Sequence, residues 1–307
     1  MVASKAGITD SKPSWLRRKI AGGSNFGRVA SVLTAEALNT VCVSARCPNR
    51  GECFSAGTAT FMIMGNICTR NCAFCAVDSG IPLPLREDEP EAVARASMHL
   101  NLEHVVVTSV TRDDLPDGGS EHFVKTIRSI RTQLKDVTVE VLTPDFNGDL
   151  KAVQKVLEGR PDVFNHNIET VERLYPDIRP KASYRRSLDI LRIASERGLF
   201  TKSGLMVGLG ETEEEITQTL LDLRESGCQA LTVGQYLQPK RDCVPVKMFY
   251  SLKEFEDIER MGYKMGFACV FSGPFVRSSY KAEQAFKGSK TIGKQENDIK
   301  EEEENVG

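Results

Sequence analysis

The chain has 307 residues, and its 40 basic and 42 acidic side chains leave a net charge of −2 at neutral pH. That balance excludes a globally basic nucleic-acid binder and gives no electrostatic pull toward an anionic membrane. No apolar run approaches the roughly 18 residues of a membrane-spanning helix. The first fifteen residues, MVASKAGITDSKPSW, show neither an apolar export core nor an Arg-rich amphipathic stretch. The expected location is cytoplasmic, with an organellar one after loss of a transit peptide left open.

In chain order, a polar arm is followed by a short helix, with the apolar positions of ASVLTAEALNT over residues 30–40. A cysteine-rich stretch comes next. Apolar, β-branched runs then predict strands over residues 61–67, 104–110, 137–143, 162–169, 201–210, 230–236 and 268–273. Amphipathic segments between them predict helices over 89–100, 120–134, 183–197, 212–226 and 251–265. The last two open with Thr212-x-x-Glu215 and Ser251-x-x-Glu254, which are capping boxes. The tail beyond residue 288 is charged and expected to be disordered. Strands alternating with helices imply parallel pairing, because parallel strands need crossovers. The fold class expected is α/β, a partial (β/α)6-type barrel with N- and C-terminal extensions; a doubly wound sheet is the alternative. Either fold puts its site at the carboxyl ends of the strands.

Nine cysteines occur, six of them between residues 42 and 75. In a long chain without an export signal, metal binding is favoured over a disulfide framework. Cys68, Cys72 and Cys75 follow the first predicted strand at Cys-x3-Cys-x2-Cys spacing. A structural zinc site closes with four ligands, whereas three thiolates on a cubane leave one iron open. Cys42, Cys47 and Cys53 form a second triad at Cys-x4-Cys-x5-Cys spacing, for which zinc or a structural thiol site is the plainer reading. Cys228, Cys243 and Cys269 read as small buried hydrophobes.

Cys-x3-Cys-x-aromatic-Cys, with Phe74 before Cys75, is similar to the signature of radical S-adenosylmethionine (SAM) enzymes. With the first triad added, the chain resembles the lipoyl synthase family over roughly residues 12–285. The segments that carry the resemblance are CPNRGEC, GTATFMIMGNICTRNCAFCAV, TSVTRDDLPDGG, HNIETV, KSGLMVGLGET, TVGQYLQP and SGPFVRSSY. The resemblance implies two [4Fe-4S] clusters. One would sit on Cys68, Cys72 and Cys75 and bind S-adenosyl-L-methionine at its open iron. The auxiliary one would sit on Cys42, Cys47, Cys53 and Ser279, with Ser278 the alternative serine, and would donate its sulfur. Phe74, Asp117, Gly118, Gly119, Asn167, Glu169, Gly208, Glu211, Gln235 and Leu237 resemble the superfamily's SAM-binding elements. In the bare residue reading, the glycines near 208 make an ordinary strand-to-helix turn and Asp117 a turn residue.

The implied reaction inserts two sulfur atoms at C6 and C8 of an octanoyl chain carried on a lysine. The implied partners are an octanoylated lipoyl domain or glycine-cleavage H protein, a ferredoxin or flavodoxin reductant, and cluster-repair proteins. No nucleic acid or membrane is expected. Arg46, Arg50, Arg70, Arg179, Lys181, Arg185 and Arg186 are expected mostly on solvated faces, some of them docking an acidic carrier. Thr111, Val43, Ser44 and Cys243 depart from the family pattern. The implied division is an N-terminal extension with the auxiliary cysteines (1–57), the barrel (58–267), a C-terminal extension (268–288) and the tail (289–307). The alternatives are a biotin-synthase-like radical enzyme and a zinc-stabilised binding module.

Overall fold

Seven apolar segments lie side by side as parallel strands, and the order in which they pair follows the chain. The computed structural model describes residues 13–16, 23–280 and 282–283. The N-terminal arm outside 13–16 and the tail expected to be disordered lie outside the described residues.

The main sheet runs β1 (Asn39–Thr40), β2 (Thr60–Ile63), β5 (His104–Ser109), β6 (Thr138–Leu142), β7 (Val163–Asn165), β8 (Phe200–Val207), β9 (Ala230–Gln235) and β10 (Cys269–Gly273). A separate two-stranded ribbon holds β3 (Ile67–Cys68) and β4 (Asp78–Ser79). All main-sheet neighbours are parallel except β1, which is antiparallel to β2. β10, inside the stretch expected as a C-terminal extension, continues the sheet in register with β9. The sheet is therefore an open, partial barrel whose two edges are β1 and β10.

The helices are α1 (Ser24–Ala35), α2 (Val41–Ser44), α3 (Arg50–Ser55), α4 (Glu89–His99), α5 (Ser120–Gln133), α6 (Leu150–Glu158), α7 (Tyr175–Ile178), α8 (Tyr184–Glu196), α9 (Glu213–Glu225) and α10 (Leu252–Lys264). Both predicted capping boxes form: Glu215 N donates to Thr212 and Thr212 N to Glu215, with the same exchange between Ser251 and Glu254. α1 starts and stops several residues earlier than its apolar positions suggest. Ala37 adopts a left-handed φ of 50°, and Leu38 N donates back to Leu33 O at 2.9 Å, which ends the helix in a Schellman-like turn. α6 was not predicted. Its signals are Asp149, whose carboxylate accepts from Lys151 N at 2.9 Å, and the buried series Ala152, Val153, Val156 and Leu157.

The core lies in two main bodies. One packs β2, β5 and β6 under α4, α5 and α6, with Phe61, Phe123, Val107 and Val139 fully buried. The other packs β8 and β9 against α8, α9 and α10 around Leu191, Leu220 and Leu231. Each such apolar side chain contributes about 2 kcal/mol on leaving water.

Toward the amino ends of the strands the barrel interior is charged. Glu140 Oε1 accepts from Lys202 Nζ at 3.0 Å and Asn165 Nδ2 at 2.9 Å, and Glu140 Oε2 lies 3.3 Å from His104 Nε2. Burial pushes the Glu140 carboxyl up, but Lys202 and His104 win and hold it at about 2. This plug closes the end opposite the cysteines.

Candidate radical SAM and auxiliary-cluster site

β2 ends at Ile63, and Met64 turns the chain out of the sheet with a φ of 67°. Backbone in that region is costly for a side chain other than glycine and persists only when it is braced. Met64 N donates to Glu89 Oε2 at 2.7 Å, and that carboxylate is also bonded to His122. The buried Arg112 donates to Met64 O at 3.2 Å. The cysteine loop thus leaves the barrel on a fixed bearing.

Pairing of Cys68 with Ser79 closes the base of the loop. Thr69 N donates to Thr111 O at 3.0 Å, Ala73 N to Ile178 O and Val244 N to Ala73 O, each at 2.9 Å. The Cys243 thiol donates to Cys75 O at 3.3 Å. Phe74 packs with Val171, Leu174, Ile178 and Tyr236. Loop side chains therefore come from after β2, but their anchors come from after β5, β7 and β9.

Cys68, Cys72 and Cys75 are free thiols, each half-buried. Burial pushes Cys72 up and Cys75 up to about 12, and each feels the charge of Cys68. Buried thiolates need a cation, so this donor set suits a metal centre. Among the described residues no three His, Cys, Asp or Glu side chains converge as a single ion requires. An iron–sulfur cubane gives each thiolate its own iron, so its ligands need not converge on one point. The residues fit such a cluster.

Beyond β7 the backbone leaves the ladder. Ile168 N donates to the Ser203 hydroxyl, Glu169 takes a φ of 66°, and Glu169 bridges to Leu205 of β8. Asn167 and Glu169 are thereby turned onto the rim, where Asn167 Nδ2 donates to Glu169 Oε1 at 3.0 Å and to Ser278 Oγ at 3.2 Å. Burial raises the Glu169 carboxyl while Arg179 pulls it down. A Cβ on Gly204 would stand 2.8 Å from Asn167 Oδ1, so only glycine leaves that amide its place. Around this rim Ser109 Oγ, Thr143 Oγ1, Asn167 Oδ1, Thr170 Oγ1 and Arg179 Nε are buried without a hydrogen-bond partner. Orphaned polar atoms at strand ends are what a polar ligand would satisfy.

Two of the seven cationic residues are not on solvated faces. Arg70 is 6 % exposed and held by Asp113 and Asp145, the latter at 2.7 Å. Arg179 is 9 % exposed, stacks on Tyr175, and donates to Asn167 O at 3.1 Å. Burial opposes ionisation of Asp145, yet Arg70 keeps its carboxyl at about 2. Sequence reading missed both roles because a buried arginine is legible only when its partners are folded around it, and those of Arg70 lie 43 and 75 positions away in the chain. His166 is locked by Thr143 O and Ser187 Oγ, and burial with the charge of Arg179 lowers it to about 4, so it stays neutral.

The remaining expected residues serve the frame as well. Asp117 accepts from Gly119 N, Ser120 Oγ and Glu121 N, which caps α5; Gly118 and Gly119 have φ of 60° and 87°. Glu211 accepts from Gly208 N and Leu209 N. Gln235 Nε2 reaches Val207 O, Tyr236 O and Met248 O, and its Oε1 accepts from Tyr250 N. Leu237 is half-buried just beyond β9. Glu211 and Gln235 bond to backbone beyond β8 and β9, which fixes their side chains at the ends of those strands.

The second triad sits at the seam between the sheet's edges. Thr40 caps α2, which carries Cys42; Cys47 N donates to Cys42 O at 3.1 Å, and α3 carries Cys53. Burial raises the Cys42 thiol to about 11, with Cys47 nearby. Asn49 Nδ2 donates to Phe275 O at 2.7 Å and the Tyr280 hydroxyl to Glu52 at 2.8 Å. These bonds span more than 220 residues and bring Ser278 and Ser279 to this segment. Gly234 allows it: a Cβ there would run into the Val276 carbonyl. Gly234→Ala is expected to cost roughly 1–3 kcal/mol and to raise amide exchange in residues 274–280, measured by hydrogen exchange with thermal unfolding.

Comparison with known proteins gives the family. Residues 62–223 match the Radical SAM superfamily, more than half the chain. The chain is 55 % identical over 278 residues to the lipoyl synthase of Caldanaerobacter subterraneus subsp. tengcongensis, covering 90 % of this chain and 97 % of that one. It is 52 % identical over 275 residues to the lipoyl synthase of Rubrobacter xylanophilus, covering 89 % and 86 %. Among solved structures it resembles methylornithine synthase, with a TM-score of 0.50 at 14 % identity, over 76 % of this chain and 80 % of that one. It also resembles the hydrogenase maturase HydG, with a TM-score of 0.54 at 18 % identity, over 74 % and 54 %. These structural likenesses bear on the fold alone. On both the sequence matches and the twin cysteine sites, the chain belongs to the lipoyl synthase family of the radical SAM superfamily.

Proposed function

We propose that this chain inserts two sulfur atoms, at C6 and C8, into an octanoyl group amide-linked to a lysine of a carrier protein, yielding the lipoyl group. The observation that carries the reading is the seam. Asn49 and Tyr280 tie the C-terminal turn to the first cysteine triad, while Asn167 reaches Ser278 from the rim of the second, so both triads border one mouth. When bound, S-adenosylmethionine and the reduced [4Fe-4S] cluster supply the radical that takes hydrogen from the acyl chain, and the auxiliary cluster supplies sulfur.

Cys68, Cys72 and Cys75 would hold the first cluster, with Phe74 packing the loop in place. Glu169 has acceptor capacity beyond its bond from Asn167, which suits a ribose diol. Gly118 is half-buried beside Asp117, where the methionine end would approach. Cys42, Cys47 and Cys53 would hold the auxiliary cluster. Ser279 is its favoured fourth ligand, because Asn167 already engages the Ser278 hydroxyl. Burial of the rim excludes water from the radical. The substrate is a lipoyl-type domain; an octanoylated lipoyl domain or glycine-cleavage H protein fits equally. A ferredoxin or flavodoxin would deliver electrons, cluster-repair proteins would restore the consumed cluster, and the cytoplasm or an organelle matrix suits the thiols.

The test is mass spectrometry of an octanoylated carrier after anaerobic incubation with S-adenosylmethionine and reductant. A gain of two sulfurs with loss of two hydrogens is expected; an unchanged carrier overturns the reading. For the serines, Ser279→Ala is expected to lose auxiliary iron. Ser278→Ala should keep that iron and bind S-adenosylmethionine more weakly, read by iron assay and equilibrium binding.

A further inference from the structure

We propose that the loop of residues 80–85 is the docking lip for the acidic domain that carries the octanoyl group. The proposal rests on the function proposed above. The loop leaves the cysteine loop directly: Gly80 N donates to Cys68 O at 2.9 Å. The next residue, Ile81, is 91 % exposed, and Leu83 is 74 % exposed. Single exposed apolar side chains are ordinary on a protein surface. Two almost fully exposed ones beside a redox site are not, and they carry a free-energy cost that the isolated chain never recovers.

Nor can the loop fold them in. Pro82 and Pro84 fix the backbone between them. Leu85 packs into the core that also takes Val41 and Val77. Arg86 then donates to Ala37 O at 2.7 Å and Glu36 O at 3.0 Å, just ahead of the segment that carries Cys42. The lip is thus stretched between the two cysteine sites and pinned at both ends. A rigid apolar projection binds with little ordering cost.

Charge identifies the occupant. Arg46, Arg50 and Arg241 are exposed and have no acidic ion-pair partner among the described residues. Two contacts set Arg46 and Arg241 beside the lip: Arg46 donates to Pro239 O at 3.4 Å, and Lys240, next to Arg241, meets Asp78, three residues before Ile81, at 3.7 Å. Apolar anchors flanked by unpaired cations fit an acidic protein surface better than a second copy of this near-neutral chain.

The experiment measures binding of two probes to the loaded full chain: an octanoylated lipoyl domain, and a short octanoyl-lysine peptide that can enter the mouth without reaching the lip. Ile81→Ser/Leu83→Ser is expected to raise the Kd for the domain roughly tenfold or more and to leave the peptide Kd unchanged. Raising the salt concentration should weaken the domain alone. An unchanged domain Kd, or equal loss for domain and peptide, overturns the proposal. So does a parental chain that dimerises while the variant is monomeric in sedimentation, because the lip would then serve self-association. If the unsubstituted enzyme adds sulfur to neither probe, the proposed function fails instead.

Discussion

Cys42→Ala is expected to abolish formation of the lipoyl group while 5′-deoxyadenosine release continues, a split that no general loss of folding would produce. The reason is spatial. Cys42 lies on α2 at the seam, whereas Cys68, Cys72 and Cys75 lie on a loop with its own anchors to Thr111, Ile178 and Val244. Nothing in that anchoring passes through α2. Iron should fall from about eight to about four atoms per chain, since each cubane holds four. Cys72→Ala, by contrast, should remove both products. Chromatography of deoxyadenosine, iron assay and mass spectrometry of the carrier read the three outcomes. If Cys42→Ala stops deoxyadenosine release as well, the two sites are not separable as described.

The second large effect lies at the other end of the barrel. Lys202→Met is expected to destabilise the fold by about 3–5 kcal/mol, because it leaves the Glu140 carboxylate buried without its main cation. In thermal unfolding that is a drop on the order of 10 °C. The double variant Lys202→Met/Glu140→Gln should recover most of the loss: the amide needs no counter-charge and can still bond to His104 and Asn165.

The pH dependence follows from Glu140 and from His166. The Glu140 carboxyl sits at about 2 when folded against an ordinary 4.5. Its contribution is complete above pH 4.5 and disappears as pH falls toward 2. His166 sits at about 4 against 6.5, so the unfolded chain takes its proton first. Stability should therefore begin to fall below pH 6.5 and fall further below 4.5. Urea midpoints across that range test both steps. In Lys202→Met the lower step should shrink.

Much of this was legible in the sequence. Strand runs such as HVVVTS and the two capping boxes are local signals, set by side-chain shape and by neighbours three residues apart, and they appear where they were read. So are the cysteine spacings, because three ligands on one short loop need no distant partner to be recognised. α6 was overlooked although its Asp149 cap and apolar periodicity were visible. The boundary of α1 was misread because a left-handed alanine, not a glycine, ends it.

Other features were not local at all. Arg70 and Arg179 read as surface charge, and only the fold surrounds them with Asp145 and Asn167. Glu211 and Gln235 resemble ligand-binding positions, and only the fold shows that their polar atoms also bond to the backbone beyond β8 and β9.

By itself the sequence determined the family, the alternating α/β plan and the two thiol triads, since residue type and short spacing carry that information. The tertiary structure alone decided that the C-terminal turn ties the segment of the first triad to the rim beyond β7. Asn49 must meet Phe275, Tyr280 must meet Glu52 and Asn167 must meet Ser278, and contacts across more than a hundred residues exist only once burial of the strands has brought the two ends of the sheet together.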